Sequence, residues 1–133
     1  MKNKVAIVSS NYYENITEGL VKGAKDKLDP SFDVYDYVVD GAWELIYKIN
    51  QLSSNDSIDK FIAIGVIVKG DTDHYEYISK SVADGLINLT IHKNIYIANC
   101  VLNVLNLDQA NERVSENKNK GSEAASALNN LFL

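Results

Sequence analysis

The chain is poor in the residues that interrupt or cross-link a fold. One proline, Pro30, and one cysteine, Cys100, occur in 133 residues. A lone cysteine excludes a disulfide within the chain and fits a reducing, cytoplasmic compartment. With two histidines, His74 and His92, far apart in sequence, there is no Cys/His spacing of a metal site. Positive charge is scarce too. Thirteen Lys and Arg face eighteen Asp and Glu, a net charge of -5. Generic nucleic-acid binding needs a concentrated basic surface and is disfavoured; the lysines are scattered, apart from close pairs such as Lys118 and Lys120. No apolar run reaches membrane-spanning length. After Met1-Lys2-Asn3-Lys4 come only about five apolar or small residues, too few for a secretion-signal core. Repeats, low-complexity tracts and linkers are missing, so residues 1–133 read as a single domain.

Hydrophobic residues make up 46% of the chain, enough for a packed interior. Short apolar or β-branched runs predict strands at Val5–Ser9, Phe32–Val39, Phe61–Val68 and Ile95–Leu102. Between them, apolar residues recur at helical spacing. Ile16, Leu20, Val21, Ala24 and Leu28 form one stripe, ended by Asp29-Pro30 because proline disfavours helical geometry in the residue before it. Trp43, Ile46, Ile49 and Leu52 form a second. A third helix is expected from about His74 to about Ile91, with Ile78, Val82, Leu86 and Leu89 inward. A short helix follows over Leu107 to Arg113, and a terminal one over Ser122–Leu133. Alternation of this kind predicts a parallel sheet with helices on both faces. The expected architecture is a three-layer, flavodoxin-like α/β sandwich with a four-stranded parallel sheet.

Such a sheet gathers its strand-to-helix loops at one edge, where open α/β folds bind ligands. The loops are Ser10–Asn15, Asp40–Glu44 and Lys69–His74. His74 opens a helix there, and an imidazole takes and returns protons near neutral pH; a solvated helix-start histidine is the alternative. Gly70-Asp71-Thr72 offers backbone N–H groups and a hydroxyl to an anion, although Asp71 and Asp73 would repel one, and either could simply cap the helix. Glu44 can accept hydrogen bonds from a polyhydroxylated ligand or complement the helix dipole. Tyr12 and Tyr13 can stack on a planar ring or pack against the fold. Arg113 suits a phosphate, or is a surface charge. His92, at the far end of its helix, reads as a dipole complement. There is no GxGxxG and no P-loop. Ser10-Asn11-Tyr12-Tyr13-Glu14 lacks the glycine expected of a flavodoxin-type mononucleotide cradle.

Four motifs in order resemble the lumazine synthase family over nearly the whole chain. Gly65-Val66-Ile67-Val68-Lys69-Gly70-Asp71-Thr72-Asp73-His74-Tyr75-Glu76-Tyr77 is similar to the family's G-x-V-I-(R/K)-G-x-T-x-H-(F/Y)-(D/E)-Y. Asp40-Gly41-Ala42-Trp43-Glu44 matches P-G-A-F-E, and Asn11-Tyr12-Tyr13-Glu14-Asn15-Ile16-Thr17 matches R-F-N-x-x-I-T. The fourth, a composite Q-A-x-E-R followed by N-K-G-x-E-A-A, is matched by Gln109-Ala110-Asn111-Glu112-Arg113 followed by Asn119-Lys120-Gly121-Ser122-Glu123-Ala124-Ala125.

The resemblance implies a condensation in riboflavin biosynthesis. The family joins 5-amino-6-(D-ribitylamino)uracil to 3,4-dihydroxy-2-butanone 4-phosphate, giving 6,7-dimethyl-8-ribityllumazine, phosphate and water, with no metal or redox cofactor. It implies His74 as proton shuttle. Tyr12, Ala42, Trp43, Glu44, Val66 and Val68 would bind the pyrimidine and ribityl chain. Gly70, Asp71 and Thr72, with Arg113 and Lys120 from a neighbouring subunit, would bind the phosphate. Asn99 stands where many members place an aromatic that closes the pyrimidine pocket from the neighbour. Asn11, Tyr13, Asp40 and Trp43 also depart from the family's usual arginine, asparagine, proline and phenylalanine. The resemblance further implies pentamers, in some members assembled into an icosahedral shell, and riboflavin synthase as a potential partner. The short stretch before strand one leans the expectation to a pentamer as the minimum unit. Three alternatives stay open: an archaeal-type riboflavin synthase on the same fold, a flavin-binding protein, and a shell protein without catalysis.

Overall fold

A computed structural model describes residues 3–70 and 74–133. All of the strands anticipated from the apolar runs form, and each pairs in parallel with its neighbours. They are β1 (Asn3–Ser10), β2 (Phe32–Val39), β3 (Lys60–Val68) and β4 (Tyr96–Val104). β3 is buried along all but its last residue, as a central strand covered on both faces should be. β2, at one edge, is buried only at Phe32 and is otherwise half-buried or exposed. The sheet order β2-β1-β3-β4 reverses direction between β1 and β3. That reversal opens a crevice at the carboxyl ends of these two strands.

Two helical layers cover the sheet. On one face α1 (Glu14–Lys27), α4 (Leu107–Glu112) and α5 (Lys120–Phe132) bury Leu20, Ala110 and Leu128 against Val5, Ile7, Ile62 and Ile64. On the other, α2 (Trp43–Asn55) and α3 (His74–Lys93) bury Leu45, Ile49, Val82 and Leu86 against Ala6, Val8, Phe61 and Ala63. β1 and β3 thus send alternate side chains into separate cores, as strand geometry requires. The resulting fold is an α/β, flavodoxin-like sandwich.

The α1–α5 contact is unusually close because Gly121 lets the backbones meet. A Cβ at that position would collide with the carbonyl oxygen of Leu20. Asn119 caps α5, its Oδ1 accepting from Ser122 N at 3.1 Å, while its Nδ2 donates to Gly19 O at 3.1 Å and Val114 O at 3.2 Å. Ser122 Oγ donates to Gly23 O, and Asn129 Nδ2 donates to Lys27 O. These side chains satisfy backbone groups that a helix end or a tight crossing would leave unpaired.

Two sequence expectations shift. The inward face of α2 is Leu45, Ile49 and Leu52 rather than a stripe beginning at Trp43, which is 60% exposed. The spacing 45, 49, 52 is also helical, and it points the smaller side chains at the sheet. α5 begins at Lys120, two residues before the apolar pattern suggests, because Asn119 supplies the cap.

Candidate functional site

The β1/β2 ladder ends where Asn11 N donates to Val39 O at 2.9 Å. Beyond that point the chain turns out of the sheet, bringing Tyr12 and Tyr13 over the ends of the strands. Their rings meet edge to face, with centroids 4.9 Å apart, an arrangement favoured by the ring quadrupoles. Tyr13 also packs on the α1-side core, while Tyr12 is 75% exposed. The β3/β4 ladder ends similarly, with Lys69 N donating to Val104 O at 2.9 Å. Gly70 follows at φ +54°, in the left-handed region that glycine enters without steric cost.

Between these two exits lies a cleft of about 500 Å³. Tyr12 and Tyr13 form one wall, Gly41, Ala42 and Trp43 at the start of α2 a second, and Val66–Gly70 at the end of β3 a third. Ile78 of α3 closes the side. α2 starts without a side-chain cap; its first turn is made by Glu44 N and Leu45 N donating to the carbonyls of Gly41 and Ala42. Glu44 folds back over that turn, its Oε1 3.1 Å from where a Cβ on Gly41 would stand. His74 is exposed and opens α3. It stands four residues before Ile78, so the two share a helix face.

The structure therefore brings Tyr12, Ala42, Trp43, Val66, Val68 and Gly70 together in one cleft; Glu44, in the first turn of α2 beside Gly41, and His74, which opens α3, are not among its lining residues. Asp71 and Thr72, and Asp73 beside them, lie outside the described residues. Three other candidates are not cleft-lining within their own chain. Arg113 ends α4 with Nη1 donating to Gln109 O at 2.7 Å. Lys120 pairs with Glu123 at 3.1 Å on α5. Asn99 is exposed on β4 and accepts from Val101 N through Oδ1 at 2.9 Å. Tyr13, which the sequence offers beside Tyr12 as a ring-stacking candidate, lines the cleft too; Gly41, Ile67, Lys69 and Ile78 also line it but were not singled out as site residues from sequence. Most flank residues that were, and Ile78 lies one helical turn after His74.

The chemistry on the cleft walls is aromatic surface and a lysine with a glycine hinge; an exposed carboxylate in the first turn of α2 and an exposed imidazole at the start of α3 belong to the helices that follow two of those walls. Cys100 offers no nucleophile: it is buried in β4, and desolvation pushes its thiol up to about 12, with the charge of Glu123 adding to the rise and that of Lys120 opposing it. Among the described residues, no group of three His, Cys, Asp or Glu side chains is placed to hold a metal ion. No helix among them is long and apolar enough to cross a membrane.

Comparison with known proteins gives one consistent answer. The family model for 6,7-dimethyl-8-ribityllumazine synthase matches residues 2–132. A 6,7-dimethyl-8-ribityllumazine synthase from Bartonella tribocorum is 38% identical over 129 residues, covering 95% of this chain and 85% of its own. One from Limosilactobacillus reuteri is 34% identical, covering 94% and 84%. One from Zymomonas mobilis is 33% identical over 131 residues, covering 97% and 94%.

Proposed function

The chain belongs to the 6,7-dimethyl-8-ribityllumazine synthase family, and we propose that it carries out that synthesis in the cleft between β1 and β3. The protein is a transferase of riboflavin biosynthesis. It condenses 5-amino-6-(D-ribitylamino)uracil with 3,4-dihydroxy-2-butanone 4-phosphate to 6,7-dimethyl-8-ribityllumazine, phosphate and water. Residues 1–133 act as one lumazine-synthase-like domain.

The observation that carries this reading is the convergence of the family's separated motifs on one cleft. Tyr12, Ala42, Trp43, Val66, Val68 and Gly70 come from three separate stretches of the chain and meet there. In this reading the pyrimidine stacks on Tyr12, and the free backbone groups at the start of α2 bind its polar edge. Glu44 accepts hydrogen bonds from the ribityl hydroxyls. The Gly70–Thr72 loop and the start of α3 hold the phosphate, since helix-start N–H groups favour an anion. His74 moves protons as the amine adds to the ketone, phosphate leaves and the ring closes. The amine and ketone react slowly without help, so holding them together supplies much of the acceleration.

The working unit in this reading is a homopentamer or a multiple of it, including an icosahedral shell, located in the cytoplasm and available to riboflavin synthase as a partner. Arg113, Lys120 and Asn99 lie outside the cleft of their own chain. That supports a site completed by a neighbour, in which Arg113 and Lys120 reach the phosphate and Asn99 closes over the pyrimidine. Mixing His74→Ala and Arg113→Ala proteins after dissociation should restore a fraction of activity that neither shows alone. Failure to complement, with both variants folded and assembled, would place each site within one chain.

Supplying the two substrates and following the lumazine by absorbance tests the reaction itself. Product well above the uncatalysed rate supports condensation. Conversion of supplied lumazine to riboflavin would move the assignment to a riboflavin synthase. Neither reaction, from folded protein, would favour a flavin-binding or shell role.

A further inference from the structure

We propose that Lys69 is a phosphate-binding residue of this site, contributed by the chain that owns the cleft. The inference rests on the condensation reading for the identity of the phosphate ester, but not for the presence of an anion site.

Lys69 is fixed at its root. Its backbone N–H is tied to Val104 O at 2.9 Å, and the chain turns immediately after it at Gly70. Lys69 lines the cleft and also a neighbouring groove of about 510 Å³ along the first turns of α3. It stands on the wall the two spaces share. Within the groove, Lys80 is paired with Asp84 at 2.7 Å. Arg113 and Lys120 are engaged elsewhere in their own chain. Among the described residues, Lys69 is the cation that lines the cleft.

A phosphate monoester carries close to two negative charges near neutral pH, and the chain it approaches has a net charge of -5. The groove beside the cleft holds the carboxylates of Glu76 and Asp84 as well as Lys80. An ammonium on the wall shared by the groove and the cleft is therefore the charge that offsets repulsion on a phosphate in the cleft.

Lys69→Met keeps the stem and removes the charge; Lys69→Arg keeps the charge. In steady-state assays, Lys69→Met should raise KM for the butanone phosphate about tenfold, as expected for loss of one charge-assisted contact at a solvent-open site. KM for the pyrimidine should stay within about twofold, and Lys69→Arg should restore the first value. Raising salt should slow the wild type at low butanone phosphate more than it slows Lys69→Met. Inorganic phosphate, titrated by calorimetry without turnover, should bind the wild type and lose about tenfold in affinity in Lys69→Met. Equal KM changes for both substrates, or unchanged phosphate binding in a folded Lys69→Met, would overturn the proposal. A wild type that binds phosphate through Lys69 yet makes no lumazine would retain the anion site and remove the reaction assigned to it.

Discussion

The two faces of the sheet are built to opposite ends. On the α1–α5 face, Gly121 lies against the Leu20 carbonyl, and Asn119, Ser122 and Asn129 tie the backbones of the two helices together. On the α2–α3 side, at the carboxyl ends of β1 and β3, Tyr12 and Trp43 stand largely exposed around an open cleft. One region satisfies its polar groups internally and leaves little space. The other keeps helix-start N–H groups, a carboxylate and an imidazole facing solvent. The contrast separates what holds the fold from what the fold presents, and substitutions in the two regions should therefore differ in kind.

Gly121→Ala should be the most damaging to stability. The added methyl meets backbone that cannot rotate away, so a loss of about 3 kcal/mol is expected, read as a fall in melting temperature of roughly 10 °C. The protein that remains folded should keep its turnover. His74→Ala should do the reverse, lowering kcat about a hundredfold while shifting the melting temperature by no more than about 1 °C, as for an exposed side chain. Asn119→Ala belongs again to the packed face. It removes a helix cap and leaves two carbonyls without their donor, for about 2 kcal/mol, with kinetics unchanged. Glu44→Gln should raise KM for the pyrimidine about tenfold and leave melting alone. The smallest effect concerns Cys100. Its thiol is raised from an ordinary value of 9.0 to about 12, so folding favours the protonated form. That contribution is present below pH 9 and is lost as pH rises from 9 towards 12. Thiol reagents at pH 8 should label the unfolded chain and leave the native one unmodified. A cleft substitution that unfolds the protein, or an α1–α5 substitution that changes KM, would break the division.

Much of the fold was legible because burial on both faces leaves a simple mark. Phe61–Val68 is an unbroken apolar run, and it became the buried central strand. Pro30 marked the end of α1, which stops at Lys27. The phase of α2 was less legible, since Trp43-Ile46-Ile49 and Leu45-Ile49-Leu52 are both helical spacings. Packing chose the second and left the indole free to line the cleft. At the site, the motif residues were readable in place. Lys69 and Ile78 were not read as cleft walls, because their roles arise from separate stretches of the chain meeting in space. The α1–α5 lock was invisible for a similar reason: its Asn119–Gly19 contact joins residues a hundred positions apart.

The chain has a single tryptophan, and Trp43 lines the cleft. Its fluorescence thus reports on that cleft and on the α2–α3 groove that the same residue lines. Titrating the native protein with 5-amino-6-(D-ribitylamino)uracil should change Trp43 emission saturably, and added 6,7-dimethyl-8-ribityllumazine should compete for the same site. Binding of the pyrimidine detected by calorimetry, with Trp43 emission unchanged throughout, would contradict the assignment of the reaction to the cleft between β1 and β3.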